Sequence, residues 1–204
     1  MDLAQQMTQF AGNVGNEQNL QQQRQLYGFL SDSSTPAQTN EGNLLIIELS
    51  SFQLEMLHKA KIDVGVFLNI SDDHMDRYNS FKEYLKAKVK IFDLSGINII
   101  NRDEKNLHFL MNKATLSIGI SNPNTEEDYT LTNNSSGTYV KKGINLIVDL
   151  KDLKLIGEHN KLNVMAAIAS IKSAFPEFTE FKINNFKGVH HRLEWLKNRE
   201  GIDF

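Results

Sequence analysis

Residues 64–92 read VGVFLNISDDHMDRYNSFKEYLKAKVKIF, and this stretch decides the fold of the chain. It begins with the apolar run Val64–Leu68 and turns polar at the four residues 71–74, Ser-Asp-Asp-His. This pattern is typical of a buried parallel strand that ends in a loop at its carboxyl edge, where open α/β sheets place their ligands. Ser80 and Glu83 have the spacing of a capping box, which predicts a helix that begins at Phe81.

One lysine of this helix, Lys88, lies on the apolar side. The apolar stripe is formed by Phe81, Tyr84, Leu85, Val89 and Phe92. The solvated side carries Lys82, Lys86 and Lys90. A buried ammonium group is costly, so Lys88 must extend toward water, pair with an acid, lose its proton or be modified. Its phase allows either a lysine that extends to solvent or a lysine that points at the Asp-Asp-His loop as part of an active site.

The composition is that of a globular protein and excludes several functional classes. The 204 residues are 40% hydrophobic and 23% charged, with a net charge of −3 and no cysteine. The chain has no excess of basic residues that would indicate a nucleic-acid partner. It also has no apolar run that approaches the roughly 20 residues needed to span a bilayer. The start of the chain lacks the pattern of a signal peptide. We therefore expect a cytoplasmic protein with no nucleic-acid or membrane partner.

Strand and helix patterns alternate along most of the chain. We expect an apolar strand at Leu44–Ile47 that ends in Glu48, and a helix from about Phe52 to Lys59 capped by Ser50 or Ser51. Further strands are predicted at 64–70, 97–100 and 115–118, further helices at 81–92, 105–113 and 162–175, and short antiparallel runs over 129–155. This order predicts an α/β fold, with a mainly parallel, doubly wound sheet flanked by helices and a small antiparallel β meander.

The chain divides into two parts by composition. Residues 1–42 are glutamine-rich, and Ser31–Asn40 has the composition of a loop. We expect this N-terminal segment to be poorly ordered. Residues 43–204 carry the globular signal.

Several polar residues are candidates for chemistry. Glu48, the Asp-Asp-His loop and Lys88 follow strands or face inward, and such groups can hold Mg²⁺. Taken singly, Glu48 is better explained as the cap of a helix end and His74 as a surface loop histidine. Asn160 is a natural N-cap for the helix that follows it. Arg192 has the side chain that suits a phosphate.

Five strings, in this order, resemble the central domain of the Mur ligases. They are ELSSFQLE at 48–55, LNISDDHMDRY at 68–78, YLKAKVKIF at 84–92, GEHNKLN at 157–163 and HHRLE at 190–194. ELSSFQLE and DHMDRY are characteristic of the members that add D-glutamate. The resemblance covers about residues 43–204, and the turn at 11–15, AGNVG, also resembles the family.

The resemblance implies an ATP-dependent amide ligase of peptidoglycan precursor synthesis, present here as a piece of the enzyme. Such an enzyme adds D-glutamate to UDP-N-acetylmuramoyl-L-alanine through an acyl phosphate, as a monomer. Its metal residues would be Glu48, His74 and a carbamylated Lys88, at two Mg²⁺ sites. His74 and Lys88 would be catalytic.

The resemblance also implies residues for the nucleotide and the substrate. Asn160, Asn163 and Arg192 would bind ATP. Asn13, Ser50 and His74 would bind the muramoyl substrate.

The chain also departs from the family. It contains no Gly-x-x-Gly-Lys-[Ser/Thr] phosphate loop, and we expect the UDP-binding and C-terminal domains to be absent from it. A non-catalytic nucleotide-binding remnant of the same fold is therefore an alternative. A related ligase that extends folate with glutamate is a third possibility, and ELSSFQLE argues against it.

Overall fold

The computed structural model describes residues 46–153, 157–179, 181 and 183, with the backbone of 198–199 and 202–203. These residues form two compact units. The first runs through Gly65 and resumes over Ser71–Gly96, and the second contains Val66–Ile70 and the chain from Ile97 onward. The predicted N-terminal segment 1–42 lies outside the described residues, and the domain boundary at residue 43 stays a prediction.

The described part of the first unit contains two helices whose starts are capped by serine. Helix α1 spans Ser51–Met56, and its N-cap is Ser50. The Ser50 hydroxyl accepts a hydrogen bond from the backbone N–H of Gln53 at 3.2 Å, and the Gln53 side chain accepts one from the backbone N–H of Ser50 at 2.8 Å. This complete capping box fixes the helix start where it was predicted. The helix ends at Met56 rather than Lys59, because the chain becomes extended at Leu57.

Helix α2 spans Phe81–Leu94, and its N-cap is Ser80 as predicted. The Ser80 hydroxyl accepts from the backbone N–H of Glu83 at 3.3 Å. The second half of the predicted capping box differs, because the Glu83 carboxylate accepts from the backbone and the side chain of Asn79. Asn79 thus takes the place that the pattern gives to Ser80, and the helix start keeps its position.

The predicted strand before Glu48 is wrong where the structure describes it. Ile46 and Ile47 have no strand structure, both are only half-buried, and Glu48 is exposed. An apolar run becomes a strand only when a neighbouring strand pairs with it, and these two residues have no such pairing among the described residues. Leu44 and Leu45 lie outside the described residues.

Six strands form one mixed sheet in the order β1-β2-β3-β4-β5-β6. Their bounds are Ile62–Phe67, Ser95–Asn101, Leu116–Gly119, Tyr129–Asn134, Gly137–Lys142 and Asn145–Asp149. The pairs β2–β3 and β3–β4 are parallel, and β4–β5 and β5–β6 are antiparallel. The predicted mainly parallel α/β sheet with an antiparallel meander is confirmed. A separate backbone hairpin pairs β7, Asn198–Arg199, with β8, Ile202–Asp203.

The second unit also contains helical segments, and one of them packs on the sheet. A 3₁₀ helix spans Lys105–Lys113, where a helix was predicted without its type. Helix α3 spans Glu158–Ala174 and packs on β3 and β4. The core of the sheet is formed by residues that have almost no exposure: Ile99, Ile100, Ile118, Leu131 and Val140.

Helix α3 begins four residues before the predicted start, so the prediction that Asn160 caps it is wrong. Gly157 is the N-cap, with a φ of 97° that glycine adopts without a steric penalty. The glycine lets the chain enter the helix early, and Asn160 lies within the first turn.

No helix among the described residues is long and apolar enough to cross a membrane.

Candidate active site

Lys88 lies on the inward side of α2, as the helix phase predicts, and is half-buried. Burial lowers the pKa of its amine from the ordinary value of 10.5. The negative charges of Glu48 and Asp73 act in the opposite direction and raise this pKa in part. Two carboxylates from separate segments of the first unit are therefore close enough to act on the Lys88 amine.

His74 has an uncommon backbone conformation, with a φ of 56°. Its backbone N–H donates to Asp73 Oδ1 at 2.8 Å, and its Nε2 lies 3.4 Å from Asp73 Oδ2. The imidazole packs 4.9 Å from the ring of Phe52 and 6.1 Å, edge-on, from the ring of Tyr84. A backbone in a sparsely populated region persists only where its surroundings hold it, and such residues cluster at functional sites.

Asp73 is the residue that connects these groups. It touches His74 through both carboxylate oxygens, and its charge acts on Lys88 and on the Tyr84 hydroxyl, whose pKa is raised first by burial and then by Asp73. The sequence places Asp73 in the polar loop but does not distinguish it from Asp72. The signal that could have found it is its position directly before His74.

The donor set fits Mg²⁺ on one condition. Mg²⁺ is usually bound by one or two carboxylates and keeps several waters, so the Glu48 carboxylate is a suitable ligand, and Asp73, which lies against the predicted ligand His74, adds a second negative charge. No group of three or more histidine, aspartate or glutamate side chains that could hold a metal occurs in the described part of the chain. Lys88 as an ammonium repels a cation, whereas a carbamate on Lys88 would add the missing anionic oxygens. The site therefore fits a metal when Lys88 carries no positive charge.

The remaining predicted site residues are only partly described. Ser50 is half-buried, and its hydroxyl accepts the hydrogen bond that caps α1. Asn160 and Asn163 lie in the second unit on α3, where a spacing of three puts them on one face; Asn160 is half-buried and Asn163 exposed. Asn13 and Arg192 lie outside the described residues.

An aromatic cluster around His74 is a feature that the sequence analysis missed. The Phe52 ring lies near parallel to the Tyr78 ring at 6.1 Å, and the Arg77 guanidinium lies 4.3 Å from the centre of the Phe52 ring. Arg77 also donates to Glu55 Oε2 at 3.0 Å. These residues come from α1 and from the loop after His74, so the ELSSFQLE and DHMDRY strings are in direct contact.

Comparison with known proteins gives the class to which this fold and site belong. The model of the Mur ligase middle domain matches residues 2–171, and the chain belongs to the Mur ligase family. The match begins well before residue 43 and so includes the turn that contains Asn13.

Two similar curated proteins have the same name, UDP-N-acetylmuramoylalanine--D-glutamate ligase. The chain is 31% identical over 166 residues to the UDP-N-acetylmuramoylalanine--D-glutamate ligase of Methylobacillus flagellatus, and 34% identical over 170 residues to that of Coxiella burnetii. These alignments cover 79% and 81% of this chain but 37% and 38% of the relatives. The chain thus spans little more than a third of the length of the proteins that it matches.

Solved structures support the fold alone. The UDP-N-acetylmuramate-alanine ligase MurC of Thermotoga maritima matches with a TM-score of 0.55 and 22% identity, over 74% of this chain and 34% of its own. A UDP-N-acetylmuramoyl-L-alanyl-D-glutamate--2,6-diaminopimelate ligase matches with a TM-score of 0.53 and 20% identity, over the same shares.

Proposed function

We propose that this chain supplies the central, nucleotide-binding part of an ATP-dependent amide ligase that adds D-glutamate to UDP-N-acetylmuramoyl-L-alanine. The observation that carries the proposal is the half-buried Lys88 amine with Glu48 and Asp73 acting on it. Relatives that are 31% and 34% identical bear the name of this activity. The protein would act in the cytoplasm as a monomer, in peptidoglycan precursor synthesis.

The proposed reaction has two steps. A carboxylate oxygen of UDP-N-acetylmuramoyl-L-alanine attacks the γ-phosphorus of ATP, and ADP leaves. The neutral amine of D-glutamate then attacks the acyl carbon and loses a proton, the bond from that carbon to the bridging oxygen breaks, and inorganic phosphate leaves with the bridging oxygen as the amide forms. Charge is spread over the phosphoryl oxygens in the first step, so correct positioning and cationic groups supply most of the rate enhancement.

The residues of this chain take distinct parts in that scheme. Glu48 and His74 would hold Mg²⁺, which neutralises phosphate charge when bound, and a carbamylated Lys88 would serve a second Mg²⁺. Asp73 would keep the His74 imidazole oriented. Ser50, Asn13 and His74 would lie on the muramoyl side.

The nucleotide side would be formed by other segments of the chain. Asn160 and Asn163 would contact the adenine end of ATP through their side-chain amides. Arg192 would meet the phosphates with its planar guanidinium, which suits bidentate contacts to phosphate oxygens.

A second candidate is a nucleotide-binding remnant of the same fold without catalysis. The observation that favours it is the lack of a Gly-x-x-Gly-Lys-[Ser/Thr] string in the 204 residues. Without that loop, no backbone nest or lysine of the usual kind cradles the β- and γ-phosphates.

An assay of ADP release separates the two candidates. Continued release of ADP over many turnovers should require ATP, Mg²⁺, UDP-N-acetylmuramoyl-L-alanine and D-glutamate together, and the product should contain one added glutamate by mass. Lys88→Met should lower kcat/KM about a hundredfold or more, while Lys82→Met, on the exposed side of the same helix, should leave it unchanged. Binding of ATP without turnover would support the remnant instead.

A further inference from the structure

The backbone of His74 is held in place by contacts from both sides of its loop. It is the only non-glycine residue with a positive φ among the residues that the structure describes. Such a conformation costs about 1–3 kcal/mol and reverts unless the surrounding structure opposes it. The carbonyl of His74 accepts hydrogen bonds from the backbone N–H groups of Arg77 at 3.0 Å and Tyr78 at 3.1 Å. A tight turn over 74–78 therefore couples the position of His74 to the position of Arg77.

The side chain of Arg77 ties this turn to helix α1. Its Nη2 donates to Glu55 Oε2 at 3.0 Å, and its guanidinium covers the Phe52 ring at 4.3 Å. The same Phe52 ring packs against the His74 imidazole at 4.9 Å. Arg77 thus reaches His74 by two routes, through the backbone of the turn and through the ring of Phe52.

The Arg77–Glu55 pair has little to offer as a source of stability. The side chains of Arg77 and Glu55 are 54% and 37% exposed. Exposed ion pairs contribute about 0–1 kcal/mol to the free energy of unfolding. This ion pair also fixes the Phe52 ring beside the His74 imidazole. Its role is therefore better explained by the positions that it gives to these side chains than by a contribution to stability.

We infer that Arg77 is a positioning residue for His74: it holds Phe52 and the 74–78 turn so that the imidazole keeps one orientation. Glu55 acts indirectly in the same way, because it fixes the direction of the Arg77 guanidinium. The inference rests on the proposed function in so far as it assigns His74 to a metal site. Residues that orient metal ligands typically change metal affinity about 10- to 100-fold when they are replaced.

The chain contains a matched control for this interaction. Lys142 pairs with Glu127 at 2.5 Å and lies 5.9 Å from the centre of the Tyr129 ring, so it also combines an ion pair with an aromatic contact. It lies on β5 in the second unit, outside the 74–78 turn. Lys142→Met therefore removes a cationic side chain that makes the same two kinds of contact at a different position.

The test compares Arg77→Met, Glu55→Gln and Lys142→Met by two measurements on the whole chain. The first is the ring signal of His74 in a ¹H–¹³C NMR spectrum at fixed pH, assigned by its loss in His74→Gln. The second is the affinity for Mn²⁺, measured by electron paramagnetic resonance of the free ion. We expect Arg77→Met to shift or broaden the His74 signal and to weaken Mn²⁺ binding about tenfold. Glu55→Gln should have a smaller effect of the same sign, and Lys142→Met should have none.

Three outcomes would separate the inference from its basis. A folded Arg77→Met chain with the wild-type His74 signal would overturn the inference. If Arg77→Met does not fold, Arg77→Lys and Glu55→Gln apply the same criterion, because they keep more of the contact. If the wild-type chain binds no Mn²⁺, the proposed metal site is wrong, while the His74 signal still decides the role of Arg77.

Discussion

At the scale of single residues, Lys88 shows how far helix phase supports a prediction. The spacing of apolar residues around it predicts an inward lysine, and the structure shows a half-buried amine with a lowered pKa. The phase does not reveal which charges lie near the amine. The charge of Asp73 acts on Lys88 across the fold, from a loop that includes the positive φ of His74, and no local sequence pattern encodes the conformation of that loop.

The lowered pKa of Lys88 favours a carbamate. Only the neutral amine reacts with CO₂, and burial increases the neutral fraction at a given pH. In ¹³C-bicarbonate, we expect a carbamate carbonyl signal from the wild-type chain that is absent from Lys88→Arg. Lys82→Arg replaces an exposed lysine six residues earlier on α2 and should keep the signal. An unchanged signal in Lys88→Arg would show that the carbamate is on another residue. Lys88 would then no longer be the proposed ligand of the second Mg²⁺.

At the scale of elements, the sequence predicts strands and helices within a few residues because their periodicity is local. The residues that join the elements are less predictable, and Arg102 is the clearest example. Arg102 follows β2 directly and lies between two polar residues, Asn101 and Asp103, yet it is 5% exposed. Its guanidinium donates to the carbonyls of Gly119 at 3.0 Å and Tyr129 at 2.8 Å, so it connects β2 with the ends of β3 and β4. Those acceptors lie 17 and 27 residues away, beyond the reach of any local pattern.

The Asp103 carboxylate connects the end of β2 with the end of β3, and it makes the free energy of unfolding depend on pH. Its carboxylate accepts from the backbone N–H of Ile120 at 2.5 Å and of Ser121 at 3.2 Å. Burial alone would raise the pKa of Asp103, but a hydrogen bond from the Ser121 side chain, the two backbone hydrogen bonds and the charge of Arg102 outweigh it and lower the pKa below 3.8. Because the folded pKa lies below the unfolded one, the stabilising contribution is present above pH 3.8 and is lost as the pH falls through the folded value.

We therefore expect Asp103→Asn to lower the free energy of unfolding at pH 7 by about 1–3 kcal/mol, because the amide group leaves one backbone N–H without its acceptor. The difference from wild type should shrink below pH 3.8. Urea unfolding at pH 7 and at a series of lower pH values measures both effects. Asp152→Asn, at an exposed position, is the control and should have little effect. A difference that is constant with pH would show that the charge of Asp103 is not involved.

At the scale of the whole chain, the sequence predicts the order of helices and strands more accurately than the features that depend on neighbouring segments, such as strand pairing and helix caps. The alternation of strands and helices and the antiparallel meander are confirmed, because each has its own apolar period. The strand before Glu48 and the N-cap at Asn160 were wrong, since one depends on a neighbouring strand and the other on the conformation of Gly157. The five strings carried the family assignment, which the match over residues 2–171 confirms.

The family assignment and the cluster around Lys88 together predict that nucleotide binding requires a divalent cation. A ligand that binds the folded chain at ten times its Kd stabilises it by about 1.4 kcal/mol, which raises the Tm of a chain of this size by about 3–6 °C. We expect ATP to give such a rise in thermal unfolding with Mg²⁺ and a much smaller one with EDTA. Glu48→Gln should reduce the Mg²⁺-dependent part, because it removes a carboxylate that lies near Lys88. Glu127→Gln, which removes an exposed carboxylate from the second unit, should behave as wild type does. An equal rise with Mg²⁺ and with EDTA would mean that the nucleotide binds without the proposed metal, and that Glu48 has another role.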